Sequence, residues 1–141
     1  MKVRPCTREH AARLLRSRGV TPTRQRVEIA QALFLKGEHV SAEQVLKRVN
    51  WRGALRVSKA TVYNTLNLLL AKNLVRQVLV DPGRVFYDPN VEPHHHIYDV
   101  DTGQLRDIDA ADVRVSGLPC LPEGVVSERV DIIVRVRSRT A

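Results

Sequence analysis

Hydrophobic positions in the first half of the chain repeat with helical spacing. Residues 7–18 place Ala11, Leu14 and Leu15 on one face between Thr7, a capping residue, and Gly19, a stop. Thr21-Pro22 is expected to open a second helix with Val27, Ile29, Ala30, Leu33 and Phe34 as its apolar face, ending at Gly37. Ser41 followed by Gln44 is a capping box for a third helix. Ser58 caps a fourth, with Val62, Leu66 and Leu69 facing inward.

After Asn73 the period changes from helical to alternating. Residues 74–80 and 84–87 flank Asp81-Pro82-Gly83, which reads as a hairpin. Helices followed by a hairpin describe a winged helix-turn-helix, with the third and fourth helices as the pair and the hairpin as the wing. Pro89 to Pro93 reads as a hinge. Beyond it, residues 95–100 and 104–108 read as strands around Asp101-Thr102-Gly103, and residues 109–115 as a short helix. Residues 128–137 read as a strong strand, with Val130, Ile132, Val134 and Val136 on one face. The expected class is α+β. Residues 1–88 form a winged-helix DNA-binding domain, 89–93 a hinge, and 94–141 a small α/β domain too poor in core to stand without dimerising.

Charge sharpens this picture. Residues 1–80 hold 16 Lys+Arg against 4 Asp+Glu, a net of +12, while residues 81–141 hold 7 against 11, a net of −4. A basic half joined to an acidic half fits a nucleic-acid-binding domain beside an assembly or sensor domain. Hydrophobic residues at 43% exclude a disordered tail. The longest uncharged stretch, residues 60–71, is too short for a membrane span. Two cysteines make no disulfide framework, and without a leader pattern the expected location is the cytoplasm.

Two constellations carry chemistry. The fourth helix presents Ser58, Lys59, Thr61, Tyr63 and Asn64, phosphate donors at a helix N-terminus joined to side chains that reach base edges. Arg16, Arg18, Arg24 and Arg26 are candidates for phosphate or minor-groove contact. In the second constellation, strand alternation puts His94 and His96 on one face and turns His95 away. With Asp88, Asp107 and His39 they make a mixed nitrogen and oxygen set suited to Fe(II), Mn(II) or Zn(II).

The segments Thr21 to Arg26, Glu38 to Glu43, Ala60 to Asn67 and Val85 to Asp88, followed by the histidine run, resemble the ferric uptake regulator (Fur) superfamily. Residues 94–108, 121–124 and 129–137 are most similar to its iron response regulators, the Irr group. The resemblance implies a homodimeric regulator, repressor or activator, that binds AT-rich inverted repeats in double-stranded DNA. Tyr63 and Asn64 fall where that family reads bases, and His39, Asp88, His94, His96 and Asp107 where it holds a regulatory metal. The family's Cys-x-x-Cys pairs are missing: Asp99 and Thr102 stand at the first pair's positions, so no structural four-cysteine zinc is expected. Its other metal site is degenerate, with Pro93 and His95 in place of the usual ligands. The Irr likeness implies haem as an effector, with His94, His95, His96 and Cys6 as candidates, although Pro5-Cys6-Thr7 breaks the family's Cys-Pro motif. The rival readings are a metal or peroxide sensor of the same superfamily without a haem role, and a small non-haem iron enzyme using two histidines and a carboxylate. The enzyme reading lacks the double-stranded barrel such sites need.

Overall fold

The computed structural model describes residues 6–35, 38–51 and 56–139. Its element order is α1 (Arg8–Ser17), α2 (Arg24–Phe34), α3 (Ala42–Trp51), α4 (Lys59–Ala71), β1 (Arg76–Asp81), β2 (Arg84–Asp88), β3 (His94–Asp99), β4 (Leu105–Asp109), a single 3-10 turn at Ala110–Asp112, and β5 (Ile133–Val136). The chain divides into two compact units, Met1–Val91 and Glu92–Ala141. The fold is α+β, and the described residues form four α-helices and two small sheets. Among the described residues no helix is long and apolar enough to cross a membrane.

In the first unit the helix boundaries follow local chemistry. The Thr7 and Ser58 hydroxyls accept the His10 and Thr61 amides, and Ser41 and Gln44 exchange backbone-to-side-chain bonds of 2.9 and 3.2 Å. At the end of α1, Gly19 N–H bonds Arg16 O and Val20 N–H bonds Leu15 O. That closure needs a left-handed residue, and Gly19 supplies it at φ 72°. Asn73, at φ 56°, closes α4 the same way. The second helix starts later than expected. Thr21-Pro22 lies outside it and Thr23 is the cap, because the Thr21 carbonyl is taken by the Thr23 amide and the Arg26 guanidinium. Gly37, the expected stop, lies outside the described residues.

Leu15, Ile29, Leu33, Val45, Leu66 and Leu69 are fully buried in one core, as are Ala30 of α2 and Val62 of α4, whereas Val27 and Phe34, also expected to face inward, are only half-buried against it. Burying side chains of this size stabilises by about 1.5–3 kcal/mol each. The Asn50 side chain pairs with Val57, donating to its carbonyl and accepting its amide, and so fixes the approach from α3 to α4. β1 and β2 pair in antiparallel fashion around Pro82-Gly83. β1 begins at Arg76 rather than Leu74, because the Leu74 amide is already used by Leu69 O at the end of α4.

In the second unit the sheet order is β4-β3-β5, with β3 and β4 antiparallel and β3 and β5 parallel. The strand expected over 128–137 shrinks to four residues, and Val130 and Val134 are exposed rather than inward. The ladder stops where the Ile132 amide donates to the His95 ring instead of to backbone. The helix expected over 109–115 is a single 3-10 turn, capped by the Asp109 carboxylate. Residues 114–131 are exposed throughout, among them Leu118, Leu121, Val125 and Val126.

Candidate DNA-reading surface and metal centre

On α4, Ser58, Lys59 and Asn64 are exposed and Thr61 and Tyr63 half-buried. Ser58 is partly committed to its cap, with its hydroxyl 2.9 Å from that of Thr61. The Lys59 ammonium lies 5.9 Å from the Tyr63 ring centroid, and the Tyr63 hydroxyl donates to Glu43 Oε1 of α3 at 3.4 Å. Burial first, and then Glu43, raise the Tyr63 phenol above its ordinary pKa. Thr23, Gln25 and Arg26 from the start of α2 line one recess with Thr61, Asn64 and Thr65 of α4. Gln25 was not legible in the sequence, because it belongs to no capping or periodic signal. The arginines divide. Arg16 and Arg24 are exposed, whereas Arg26 is half-buried and its guanidinium is held on Thr21 O at 3.1 Å. Arg18 reaches the Lys72 carbonyl at 3.4 Å. Arg8 and Arg13 share a recess on α1 with Arg16, a basic patch that sequence reasoning did not single out.

The metal-donor residues form two prepared groups, one in each unit. In the first unit His39 precedes α3 and Asp88 ends β2. They meet because Val40 and Tyr87 exchange two backbone bonds, of 3.1 and 2.7 Å. His39 Nε2 then lies 3.1 Å from Asp88 Oδ2, and the Asn90 amide donates to Asp88 Oδ1. The Asp88 carboxylate is only 1% exposed.

In the second unit the register sets Asp107 of β4 opposite His96 of β3, and His94 lies within diagonal reach. Both His94 Nε2 and His96 Nε2 lie 3.4 Å from the same oxygen, Asp107 Oδ1. The two imidazole centroids are 4.6 Å apart, and both histidines are buried. His94 Nδ1 lies 2.7 Å from the Glu92 carbonyl. A carbonyl only accepts, so Nδ1 carries a proton, and in the neutral ring Nε2 is the nitrogen that offers a lone pair. The ring nitrogens and the carboxylate oxygen are thus grouped at a spacing that a proton or a cation can bridge. The donor chemistry therefore fits a divalent first-row metal: buried imidazole nitrogens, a carboxylate, and a carbonyl fixing the tautomer.

His95 is separated from this group as the alternation requires, and its Nδ1 accepts the Ile132 amide at 3.2 Å. Cys6 belongs to the first unit's core and is 5% exposed; its carbonyl accepts from Gln31, and burial raises its thiol pKa. The turn where the resemblance puts a zinc-binding cysteine pair is closed by Asp99 Oδ1, which accepts the Asp101 and Thr102 amides and is held below the usual carboxylate range by those bonds. Cys120 is exposed.

A model of the Ferric uptake regulator family matches residues 17–125. Ferric uptake regulation protein 1 of Mycolicibacterium fortuitum is 33% identical over 109 residues, 77% of this chain and 65% of that protein. The chain therefore spans a little under two thirds of that relative's length. The transcriptional regulator FurA of Mycobacterium tuberculosis (strain ATCC 25618 / H37Rv) is 34% identical over 112 residues, 78% of this chain and 72% of FurA. Among solved structures, the ferric uptake regulator from Pseudomonas aeruginosa with manganese superposes with a TM-score of 0.70 at 28% identity, over 92% of this chain and 98% of that one.

Proposed function

Because the chain belongs to the Ferric uptake regulator family, we propose that it is a DNA-binding transcriptional regulator of iron and metal homeostasis, and not an enzyme. It acts as a homodimer on AT-rich inverted repeats, under the control of one divalent cation. Two winged helices related by a twofold axis place their α4 helices in successive major grooves. Residues 114–131 supply apolar surface suited to covering a second copy.

The observation that carries this reading is the pair of imidazole Nε2 atoms aimed at one Asp107 oxygen. Fe(II), Mn(II) or Zn(II) is held by His94, His96 and Asp107 of the second unit, with His39 and Asp88 of the first as its further donors. The cation supplies charge and rigidity, and no chemical step is needed. His39 abuts α3 and Asp88 ends the wing, so tying them to the second unit fixes the angle at which α4 is presented. The cation shifts the DNA-competent population only by its differential affinity for that arrangement.

To test the reading, Mn(II)-loaded protein is used to enrich binding sites from a pool of random duplexes. An AT-rich inverted repeat that is lost in His94→Ala/His96→Ala supports it. Enrichment without symmetry, or undiminished in the variant, refutes it.

The Irr-like reading makes haem a competitor for the same two histidines, since His95 Nδ1 accepts the Ile132 amide and the Cys6 side chain is buried. Haem then releases DNA from the wild type and not from the double variant. A metal or peroxide sensor without a haem role shows no release by haem in either protein.

A further inference from the structure

Resting on that reading, the geometry points to Glu43 as a specificity-determining residue: we propose that it holds Tyr63 off the duplex and penalises docking on the wrong sequence. Two of the other three acidic residues of the basic half are matched by cations. Glu28 pairs with Arg8, and Glu38 with Arg48 at 3.2 Å. Glu43 instead accepts from a neutral phenol, twenty residues away on α4. It is exposed in the first turn of α3, beside the face that carries Lys59, Tyr63 and Asn64.

The contact is built to be exchanged. At 3.4 Å it is a long hydrogen bond between partly exposed groups, so it stabilises little and a base contact can replace it. While the bond is made, the hydroxyl is occupied and a full negative charge stands next to the reading helix. Brought against phosphates, that charge disfavours every duplex. Only a sequence that draws Tyr63 into a good base contact offsets the penalty. This is discrimination by a repulsive element. The Lys59 ammonium, 5.9 Å from the ring centroid, helps keep the phenol at the surface in either state.

Binding constants of the full chain are measured by fluorescence anisotropy at one salt concentration, with Mn(II). The two duplexes are the repeat enriched by the wild type and a scrambled one. Glu43→Gln keeps the shape and removes the charge. It is expected to tighten the scrambled duplex more than the repeat, lowering the specificity ratio about fivefold, the scale of one exposed charge interaction. In a Tyr63→Phe background the same change has a smaller effect on the ratio, because the coupled hydroxyl is gone. The phenol of Tyr63 also titrates at lower pH in Glu43→Gln, which reports that the contact is made in solution. If the wild type binds neither duplex selectively, the functional reading and this inference both fail. If it discriminates and Glu43→Gln keeps the ratio, or weakens both duplexes equally, this inference alone is overturned.

Discussion

Asp107→Asn tests the metal centre with little disturbance to the fold. Its side chain is 48% exposed, and its Oδ1 is the point on which both imidazoles converge. An amide fills the same volume, so metal-free stability is expected to change by less than about 1 kcal/mol. Metal affinity behaves differently, because the change removes an anionic ligand. Even losing a group that merely orients a ligand costs about 10–100-fold in affinity, and a 30-fold loss is taken as a modest case. Mn(II) at a hundred times the wild-type Kd stabilises the fold by about 2.7 kcal/mol. At the same concentration the variant gains about 0.9 kcal/mol by the same relation. At about 3 °C per kcal/mol, the metal-induced rise in Tm falls from about 8 °C to about 3 °C. Differential scanning fluorimetry with and without Mn(II) measures both quantities. An undiminished rise in Asp107→Asn would refute the assignment, since a cation bound elsewhere is indifferent to this carboxylate.

Other outcomes follow from single contacts. Ser58→Ala removes the cap of α4 and should lower unfolding free energy by about 1 kcal/mol, read as a shifted denaturant midpoint at constant m-value. Leu66→Ala opens a cavity in a fully buried site and should cost about 2–5 kcal/mol in the same assay. Burial raises the Cys6 thiol above its reference value of 9.0, so the folded state favours the neutral form. Its contribution to stability is therefore complete below the thiol's unfolded pKa and is lost as pH rises through the raised value. In thiol labelling of the folded protein at neutral pH, exposed Cys120 should react well before Cys6; equal rates would contradict the burial of Cys6.

Much of the first unit was legible because its signals are local. Ser41 with Gln44, Ser58 before Lys59, and Gly19 after α1 each set a boundary through bonds made within a few residues. Thr21-Pro22 misled because two threonines compete for one cap, and Thr23 wins once the Thr21 carbonyl is taken by Arg26. Alternation separated His95 from His94 and His96, and the β3–β4 register then delivered Asp107. What no spacing rule predicts is the long-range bond. Asn50 to Val57, Tyr63 to Glu43 and Ile132 to the His95 ring are all set by packing. The last of these cuts β5 to four residues, although Val130 and Ile132 continue the strand pattern. Alternation reports which residues favour a sheet. It does not report whether a neighbouring strand offers backbone partners along the whole length.

The central claim is that a divalent cation controls specific DNA binding. It is tested most directly by titrating Mn(II) into metal-free protein with a labelled AT-rich inverted repeat, at fixed salt because a half-chain carrying +12 binds any duplex when salt is low. Anisotropy of the repeat is expected to rise with Mn(II) while a scrambled duplex stays unbound, and His94→Ala/His96→Ala is expected to remove the rise. Equal binding of both duplexes, indifferent to Mn(II), would contradict it.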